Sequence, residues 1–286
     1  MLTFPRGLTP AELDAVADLE RRVLAVDGGR LKLEWGTLQT RSGEHVEDVL
    51  AWDDDGRLVG FLGTYCFDTV CVELAGMVDP AARRRGVGSA LLTAAVALCA
   101  RRGAREVLLV VPRGSEGGHA LALGRAAVPH HSEHALVLTV PPGAAAASPR
   151  LTLRPAEPAD APGIARLLAA GFGGPTDDLL AAVTPRLAST LVGEHDGVLV
   201  ASVRVERHDS AAAVYGFVVD PARQGQGFGR HILSLVCQQL FDAGAGSVAL
   251  EVATHNERAL GLYTSLGFAA VAVEDYYALP MSPDRA

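Results

Sequence analysis

The chain has 286 residues, of which 49% are hydrophobic and 20% are charged, and its formal net charge is −8. The length predicts two domains of about 140 residues each, and the composition is ordinary for a soluble globular protein. The negative charge argues against nucleic acid as a partner. No apolar run reaches the roughly 18 residues of a membrane span, and the first residues lack the pattern of a signal peptide. We therefore expect a cytoplasmic protein that binds neither nucleic acid nor membrane.

The first half opens with a helix whose start is marked by Thr9 and Pro10. A threonine N-cap followed by proline at the first helical position is a start signal, and Asp27-Gly28-Gly29 predicts the end of the helix. The pattern then predicts, in order, a helix at 34–38, a hairpin of strands 49–52 and 58–65, a strand at 69–78, a helix at 89–101, a strand at 107–111, a loop at 114–118, a helix at 120–127 and a strand at 135–140.

Residues 141–149, PPGAAAASP, are proline, glycine and small residues that leave little to pack, so we predict a linker there. The predicted domains are 1–140 and 150–286. The second half repeats the order, with a strand at 151–154, helices at 158–170 and 177–187, a hairpin of strands 190–194 and 198–205, strands at 212–219 and 248–252, a helix at 256–266 and a strand at 270–279. Each half is then a mixed central sheet flanked by helices, an α/β or α+β arrangement.

A glycine-rich loop between a strand and a helix occurs once in each half. The second-half copy is VVDPARQGQGFGRHIL at 218–233, and the first-half copy is MVDPAARRRGVGSALL at 77–92. Both read [Q/R]-x-x-G-x-G after V-D-P and before an apolar helix. Glycines let the backbone approach a ligand closely, and the free amides at a helix start favour phosphate. Copies at matched positions indicate an internal duplication.

Other interpretations of these loops exist. Glycines after a strand can form a plain turn that binds nothing. The loop is not a Walker loop, because no Lys-Ser/Thr follows the glycines. It also lacks the further glycine of a dinucleotide fingerprint. The duplication favours the ligand-binding loop.

The second half carries a further motif, LEVATHNERALGLYTSLGF at 250–268. It resembles the N-x-x-A-x-x-L-Y-x-x-x-G-F signature of the GNAT-fold N-acetyltransferases, and the loop before it resembles their acetyl-CoA loop. The whole chain is thus similar to a tandem GNAT protein. The resemblance implies two tandem GNAT domains and an enzyme that uses acetyl-CoA as cosubstrate.

The resemblance also implies roles for individual residues. Backbone amides of the loop would hold the pyrophosphate of acetyl-CoA. Backbone amides of the preceding strand would bind the pantetheine arm, and Asn256 would also bind that arm. Tyr263 would protonate the departing CoA thiolate while a primary amine attacks the thioester directly. The residues so assigned to the cosubstrate are Val218, Val219, Gln224, Gly225, Gln226, Gly227, Phe228, Gly229, Arg230, Asn256 and Tyr263.

The general base stays open at this point: a side chain could act directly or through water, or the amine could arrive partly neutral. Glu251 interrupts the strand VALEVA, and His255 adjoins the asparagine of the motif. His208 and Asp209 fall in a predicted turn. For each of these residues a structural or solvent-exposed position competes with a catalytic one. Tyr263 itself could also be only a packed aromatic residue.

The first half departs from the family pattern. Its loop is basic, and Glu73 sits in the strand where many GNAT enzymes carry a base. Aligning the halves on V-D-P, however, places Ser115 opposite Asn256 and Ala122 opposite the tyrosine. We therefore predict a degenerate first domain that binds CoA or is purely structural; a weakly active first domain, with Glu73 as its base, is the alternative. Its candidate CoA site comprises Val78, Arg83, Arg84, Arg85, Gly86, Val87, Gly88 and Ser89.

No metal is predicted. The first half contains His119, His130, His131 and His134, but H-H-x-x-H lacks the glutamate of a zincin motif. We expect the last three to form a polar turn before the final strand of that half.

The acceptor is open, and we expect a small-molecule amine bound by a monomer or homodimer. The tandem layout is similar to that of the mycothiol synthase family, whose second domain acetylates a glucosamine-linked cysteine, and to that of antibiotic-modifying acetyltransferases. A non-catalytic acyl-CoA sensor or scaffold is the alternative from another class. Four acidic residues in the acceptor-facing regions could attract a cationic amine, but we expect a solvated acidic surface. They are Asp177, Asp178, Glu274 and Asp275.

Overall fold

The computed structural model describes residues 1–66, 71–143, 150–208 and 210–280. In the first half the elements are β1 (Leu2–Thr3), α1 (Pro10–Asp27), α2 (Trp35–Gln39), β2 (Asp48–Trp52), β3 (Leu58–Cys66), β4 (Cys71–Val78), α3 (Val87–Arg101), β5 (Glu106–Pro112), α4 (Glu116–Gly124) and β6 (Val128–Leu138). The predicted start of α1 is confirmed, since Thr9 forms a capping box with Glu12.

The second half repeats this order. Its elements are β7 (Leu151–Pro155), α5 (Ala161–Phe172), α6 (Thr176–Val183), β8 (Thr190–His195), β9 (Val198–His208), β10 (Ala211–Val219), α7 (Phe228–Asp242), β11 (Ser247–Ala253), α8 (Glu257–Ser265) and β12 (Ala269–Ala278). The predicted α/β class is therefore confirmed in both halves. Among the described residues, no helix is long and apolar enough to cross a membrane.

The contacts divide the chain into two compact units. Unit 1 comprises Met1–Glu133 and the residues from Ala272 onward, and unit 2 comprises His134–Val271. In unit 1 the strand order is β1-β2-β3-β4-β5-β12, in which only β4 and β5 are parallel. In unit 2 the order is β6-β11-β10-β9-β8-β7, and β10 and β11 form the parallel pair.

The last strand of each half begins in one unit and ends in the other. The end of β6 contributes Leu136 and Leu138 to the core of unit 2. Conversely, β12 pairs antiparallel with β5, and its Tyr276 lies in a core cluster of unit 1. This division differs from the sequential boundary at 141–149 that the composition predicts, because strand exchange is a long-range pairing that composition does not encode. Residues 144–149 of the predicted linker lie outside the described residues.

Helices cover both faces of each sheet. In unit 1, α1 packs on one face and α3 on the other, each through an apolar stripe. In unit 2, α7 packs on one face, and α5 with α6 on the other. In each unit the glycine loop connects one strand of the parallel pair to the helix that follows it, β4 to α3 in unit 1 and β10 to α7 in unit 2.

Two local predictions are wrong. The helix expected from residue 120 begins at Glu116, because Ser115 caps it by accepting a hydrogen bond from the Gly118 amide at 3.2 Å. The histidines expected in a polar turn, His130 among them, lie on β6, which begins at Val128.

The expected solvated acidic surface is correct for Asp177 and Asp178 and wrong for the two acids on β12. Glu274 is 0% exposed. Arg113 donates to Asp275 at 2.6 Å and, with further help from Ser132, holds the pKa of that carboxyl below its usual range.

Candidate active site

The V-D-P motif ends β10 and turns the chain into the loop. The Asp220 carboxylate accepts a hydrogen bond from the Ala222 amide at 2.9 Å, and Pro221 opens a single 3₁₀ turn. Asp79 does the same in unit 1, where it accepts from Ala81 at 2.9 Å. The motif is therefore a strand-ending turn whose capping residue is supplied locally.

The loop in unit 2 has the features of an anion cradle. Gly225 and Gly227 adopt φ of +79° and +87°, a region that side chains disfavour. Gly227 is the N-cap of α7, and no side chain caps this 15-residue helix. Residues 224–227 are exposed. The first amides of α7 are thus directed toward solvent beside the positive end of the helix dipole, where a phosphate fits.

Gly229 joins α7, α8 and β10 at one point. A Cβ at this position would lie 3.3 Å from Leu262 Cδ2 and 3.7 Å from Val219 Cγ2. Arg230, which we predicted to bind the cosubstrate, donates instead to Ser265 Oγ of α8 at 2.6 Å. The structure therefore brings the glycine loop and the N-x-x-A-x-x-L-Y helix together, as the resemblance implies.

The strand β10 is interrupted by a bulge just before the loop. Tyr215 pairs with Arg204 and Val218 with Ser202, so Gly216 and Phe217 face a single residue of β9. Gly216 has φ of +56°. Pairing of β10 with β11 covers only residues 211–213, although both strands run on. Among the described residues no strand pairs with the β11 side of β10 beyond Ala213, although the Val219 carbonyl accepts a hydrogen bond from Gln224 Nε2 at 3.2 Å. That side of the strand can therefore pair with an extended ligand.

Tyr263 is 7% exposed and packs in the core of unit 2, with its ring centroid 6.0 Å from that of Phe268. Burial raises the pKa of Tyr263 to about 12. Within the described residues its hydroxyl has no hydrogen-bond partner, yet it is not sealed from solvent. The phenol is thus held rigidly, stays protonated at neutral pH and has a free donor.

Asn256 has a local role. Its Oδ1 accepts a hydrogen bond from the Ala259 amide at 3.1 Å, which makes it the N-cap of α8. Ser115 caps α4 in the same way, so the two halves align here as the V-D-P register predicts. The asparagine, which the predicted helix at 256–266 includes, directly precedes the helix and is exposed.

The loop of unit 1 has the same backbone with different side chains. Gly86 is the left-handed N-cap of α3, with φ of +84°, and no side chain caps that helix either. Arg84 occupies the position of Gly225 and is held at φ of +62°. Gly88 packs against Leu121, the counterpart of Leu262. Val78 precedes this loop, and Arg85, Val87 and Ser89 complete it.

In the described part of unit 1, the bulge and the tyrosine of unit 2 have no counterpart. Its β4 pairs with β3 in unbroken register, and a Cβ on Gly76 would overlap the Phe61 carbonyl oxygen. Glycine therefore allows close strand pairing here, whereas Gly216 forms a bulge. Ala122, fully buried, takes the place of the tyrosine.

Glu73 of unit 1 lies in a buried polar cluster. Lys32 Nζ is 3.1 Å from its Oε2 and donates to Tyr276 Oη at 2.5 Å. Tyr276 in turn donates to Glu133 at 2.8 Å. Burial alone would raise the pKa of Glu133, but hydrogen bonds from His131 and Tyr276 and the charge of Lys32 hold it below its usual value. Glu73 is therefore engaged in an ion pair with Lys32 within this cluster.

The candidate bases of unit 2 are not brought to the tyrosine. Val248, Leu250 and Val252 of β11 point into the core that contains Tyr263, so strand alternation places Glu251 on the opposite face. His255 is exposed. Asp209 lies outside the described residues, and so does the side chain of His208. Among the described residues, no group of His, Cys, Asp and Glu could hold a metal ion.

The profile of the Acetyltransferase (GNAT) family matches residues 19–123 and 170–268. The chain belongs to this family. The mycothiol acetyltransferase of Thermomonospora curvata is 30% identical over 307 residues, covering 98% of this chain and 97% of its own length. That of Kineococcus radiotolerans is 33% identical and covers 95% of each chain. This GNAT protein is therefore an acetyltransferase, and acetyl-CoA is the cosubstrate of its family.

Solved structures show the same tandem GNAT fold. A GCN5-related N-acetyltransferase from Sphaerobacter thermophilus superimposes with a TM-score of 0.81 over 100% of this chain and 96% of its own, at 18% identity. A tandem GNAT protein from the clavulanic acid biosynthesis pathway gives 0.71 over 100% of both chains, at 17% identity. At these identities the likeness concerns the fold alone.

Two features of the candidate site were not predicted from the sequence. The bulge had a signal, because a glycine inside a strand pattern, as in AAAVYGFVV, indicates a bulge or a close approach. The second is Arg258, which lies against the loop from α8 and donates to Gln224 Oε1 at 3.1 Å. No sequence pattern we used predicts that contact.

Proposed function

We propose that this protein transfers the acetyl group of acetyl-CoA to the primary amine of a small molecule, and that the reaction occurs in unit 2. The strongest support is a difference between the two units when they are aligned on their V-D-P motifs. Both have an uncapped helix behind a glycine loop, but in the described part of the chain the strand bulge at this position and the phenol of Tyr263 are found in unit 2 and not in unit 1. Both units thus have a loop suited to a phosphate, but the groups that would act on the thioester are found in unit 2.

Binding would use backbone groups along one continuous path. Loop residues from Gln224 to Gly229, with the first amides of α7, would take the pyrophosphate. Backbone groups near Val218 and Val219 would bind the pantetheine amides, and the exposed amide of Asn256 would approach the same arm. An amide freed by the bulge would polarise the thioester carbonyl.

The chemistry would be a direct transfer. The amine nitrogen forms a bond to the acetyl carbon, and the carbon–sulfur bond breaks. The phenol of Tyr263 gives its proton to the leaving sulfur, and the proton of the new ammonium passes to water or to a base. Glu251 faces away from the tyrosine. We therefore propose that water accepts the proton, or that the amine of the acceptor binds in its neutral form.

Unit 1 would serve as a lobe that binds CoA or only supports the fold. Its loop keeps the left-handed Gly86 and three arginines, which suits phosphate. Glu73 is paired with Lys32, and no tyrosine stands at the position of Ala122. We therefore assign no acetyl transfer to this unit.

For the acceptor, the favoured class is the amine of a cysteinyl amino sugar. Two relatives that match nearly the full chain are named mycothiol acetyltransferase. An amine-bearing antibiotic is the second class. Cytoplasmic location and a monomer or homodimer stay predictions.

The test measures CoA release with a panel of amines that includes a cysteinyl-glucosaminyl inositol. We expect turnover with wild type and a loss of 10²- to 10⁴-fold in Tyr263→Phe. Tyr277→Phe in unit 1, which removes a hydroxyl bonded to His119 at 2.8 Å, is the matched control and should keep full turnover.

Three outcomes separate the interpretations. Equal turnover in wild type and Tyr263→Phe removes the tyrosine from its role. Tight acetyl-CoA binding without turnover on any amine favours the acyl-CoA sensor. No affinity for acetyl-CoA eliminates both functions.

A further inference from the structure

Arg258 connects the helix that carries the tyrosine to the glycine loop. It is the second residue of α8, and its Nη1 donates to Gln224 Oε1 at 3.1 Å. Gln224 Nε2 donates in turn to the Val219 carbonyl at 3.2 Å. Helix, loop and strand are therefore joined by two consecutive side-chain hydrogen bonds.

The second guanidinium nitrogen of Arg258 lies over the loop itself. A Cβ on Gly225 would be 3.4 Å from Arg258 Nη2. Among the described residues no carboxylate forms a salt bridge with Arg258, and the side chain is exposed. Its positive charge is therefore uncompensated at the place where the loop would hold a phosphate.

Unit 1 has the opposite arrangement at the same place. Arg83 takes the position of Gln224 and likewise donates to the strand carbonyl, that of Val78, at 3.2 Å. Its outer nitrogens, however, donate to the two carboxylate oxygens of Asp27 at 2.8 and 2.6 Å. Gly117 stands where Arg258 would be. The residue that fixes the loop from outside is a carboxylate in unit 1 and a guanidinium in unit 2.

We infer that Arg258 is a positioning residue for the phosphates of acetyl-CoA, which it serves by holding Gln224 and hence the loop in the form that accepts an anion. This inference rests on the proposed function. The hydrogen bond to Gln224 fixes the first loop residue against β10 before the ligand arrives, and the guanidinium adds positive charge beside the cradle. Because the same helix carries Tyr263, the contact also sets the distance between the nucleotide end and the acid.

The test is a double-mutant cycle on acetyl-CoA affinity, measured by titration calorimetry. We expect Arg258→Ala and Gln224→Ala each to raise Kd about tenfold, the size of one lost charge-assisted hydrogen bond. The double variant should lose little more than either single variant, because the two side chains act as one unit. Arg207→Ala is the control, since that exposed arginine of unit 2 donates only to the Ala243 carbonyl.

Kinetics separate positioning from general structural damage. In Arg258→Ala, KM for acetyl-CoA should rise about tenfold while kcat falls less than threefold. The kcat/KM for S-acetylpantetheine, which has no phosphates, should be unchanged, and Arg258→Lys should recover part of the affinity.

Unchanged acetyl-CoA affinity in Arg258→Ala, fully multiplicative losses in the double variant, or an equal loss with S-acetylpantetheine would each overturn the inference. Failure of the wild type to bind acetyl-CoA would instead refute the proposed function, so the two failures are distinct.

Discussion

The bulge at Gly216 gives the sharpest test of the site. Replacing this glycine by valine places a β-branched residue at φ of +56°, which costs about 1–2 kcal/mol in the left-handed region. The added Cβ would make only an ordinary contact, 3.6 Å from Leu168 Cδ2. The Cβ itself therefore adds no clash, and the strain that the structure shows for this substitution is in the backbone.

A strand that escapes this strain returns to regular pairing with β9 and loses the amide that we propose to polarise the thioester carbonyl. Loss of one such donor lowers kcat about 10²- to 10³-fold. We expect kcat/KM for acetyl transfer to fall by that factor in Gly216→Val, measured by steady-state CoA release. The free energy of unfolding, from urea titration, should fall by no more than about 2 kcal/mol.

Gly197 supplies the matched control. It lies in the β8–β9 turn of the same unit with φ of +76°, and a Cβ there meets no atom within 4 Å. Gly197→Val carries the same backbone strain far from the bulge, so stability should fall equally and acetyl transfer should persist. If both variants transfer acetyl groups equally well, the bulge has no role in the reaction.

Three further predictions concern the loop backbone, the pKa of Tyr263 and the packing of Gly76. Arg84→Gly should raise the free energy of unfolding by about 1 kcal/mol, because glycine adopts the left-handed backbone of this position without strain. Gly225→Ala should lower it by a similar amount. Urea titration of both variants measures the two changes. Burial raises the pKa of Tyr263 to about 12, so the phenol keeps its proton well above pH 10. If it is the acid we propose, the part of kcat that is absent in Tyr263→Phe should persist to about pH 11. An alkaline loss centred near pH 10 would contradict this. Gly76→Ala should lower Tm by at least several degrees, since its Cβ would overlap the Phe61 carbonyl oxygen; an unchanged thermal melt would show that β3 and β4 can separate at no cost.

The features that sequence predicted well are those encoded within a few residues. Caps such as Thr9, the V-D-P turn and the glycine pattern each depend on local backbone chemistry. The alignment of Ser115 with Asn256 extended that register correctly over the following strand and helix, because both halves keep the same spacing.

The features that sequence did not predict depend on distant partners. Glu274 was expected to be solvated, but pairing of β12 with β5 buries it. Glu73 forms an ion pair with Lys32, and the two residues are far apart in sequence. The start of α4 was missed for a local reason, since Gly117 and Gly118 resemble a loop while Ser115 provides a cap.

The exchange of terminal strands also orders events during synthesis. The edge of β5 in unit 1 pairs with residues of β12, which a ribosome makes only after the whole of unit 2. Until then the nascent first unit carries an open sheet edge, the kind of surface that invites wrong pairing. Unit 2, whose β6 strand is made before it, can close first. A duplicated gene that exchanged strands in this way can no longer be divided into two independent halves.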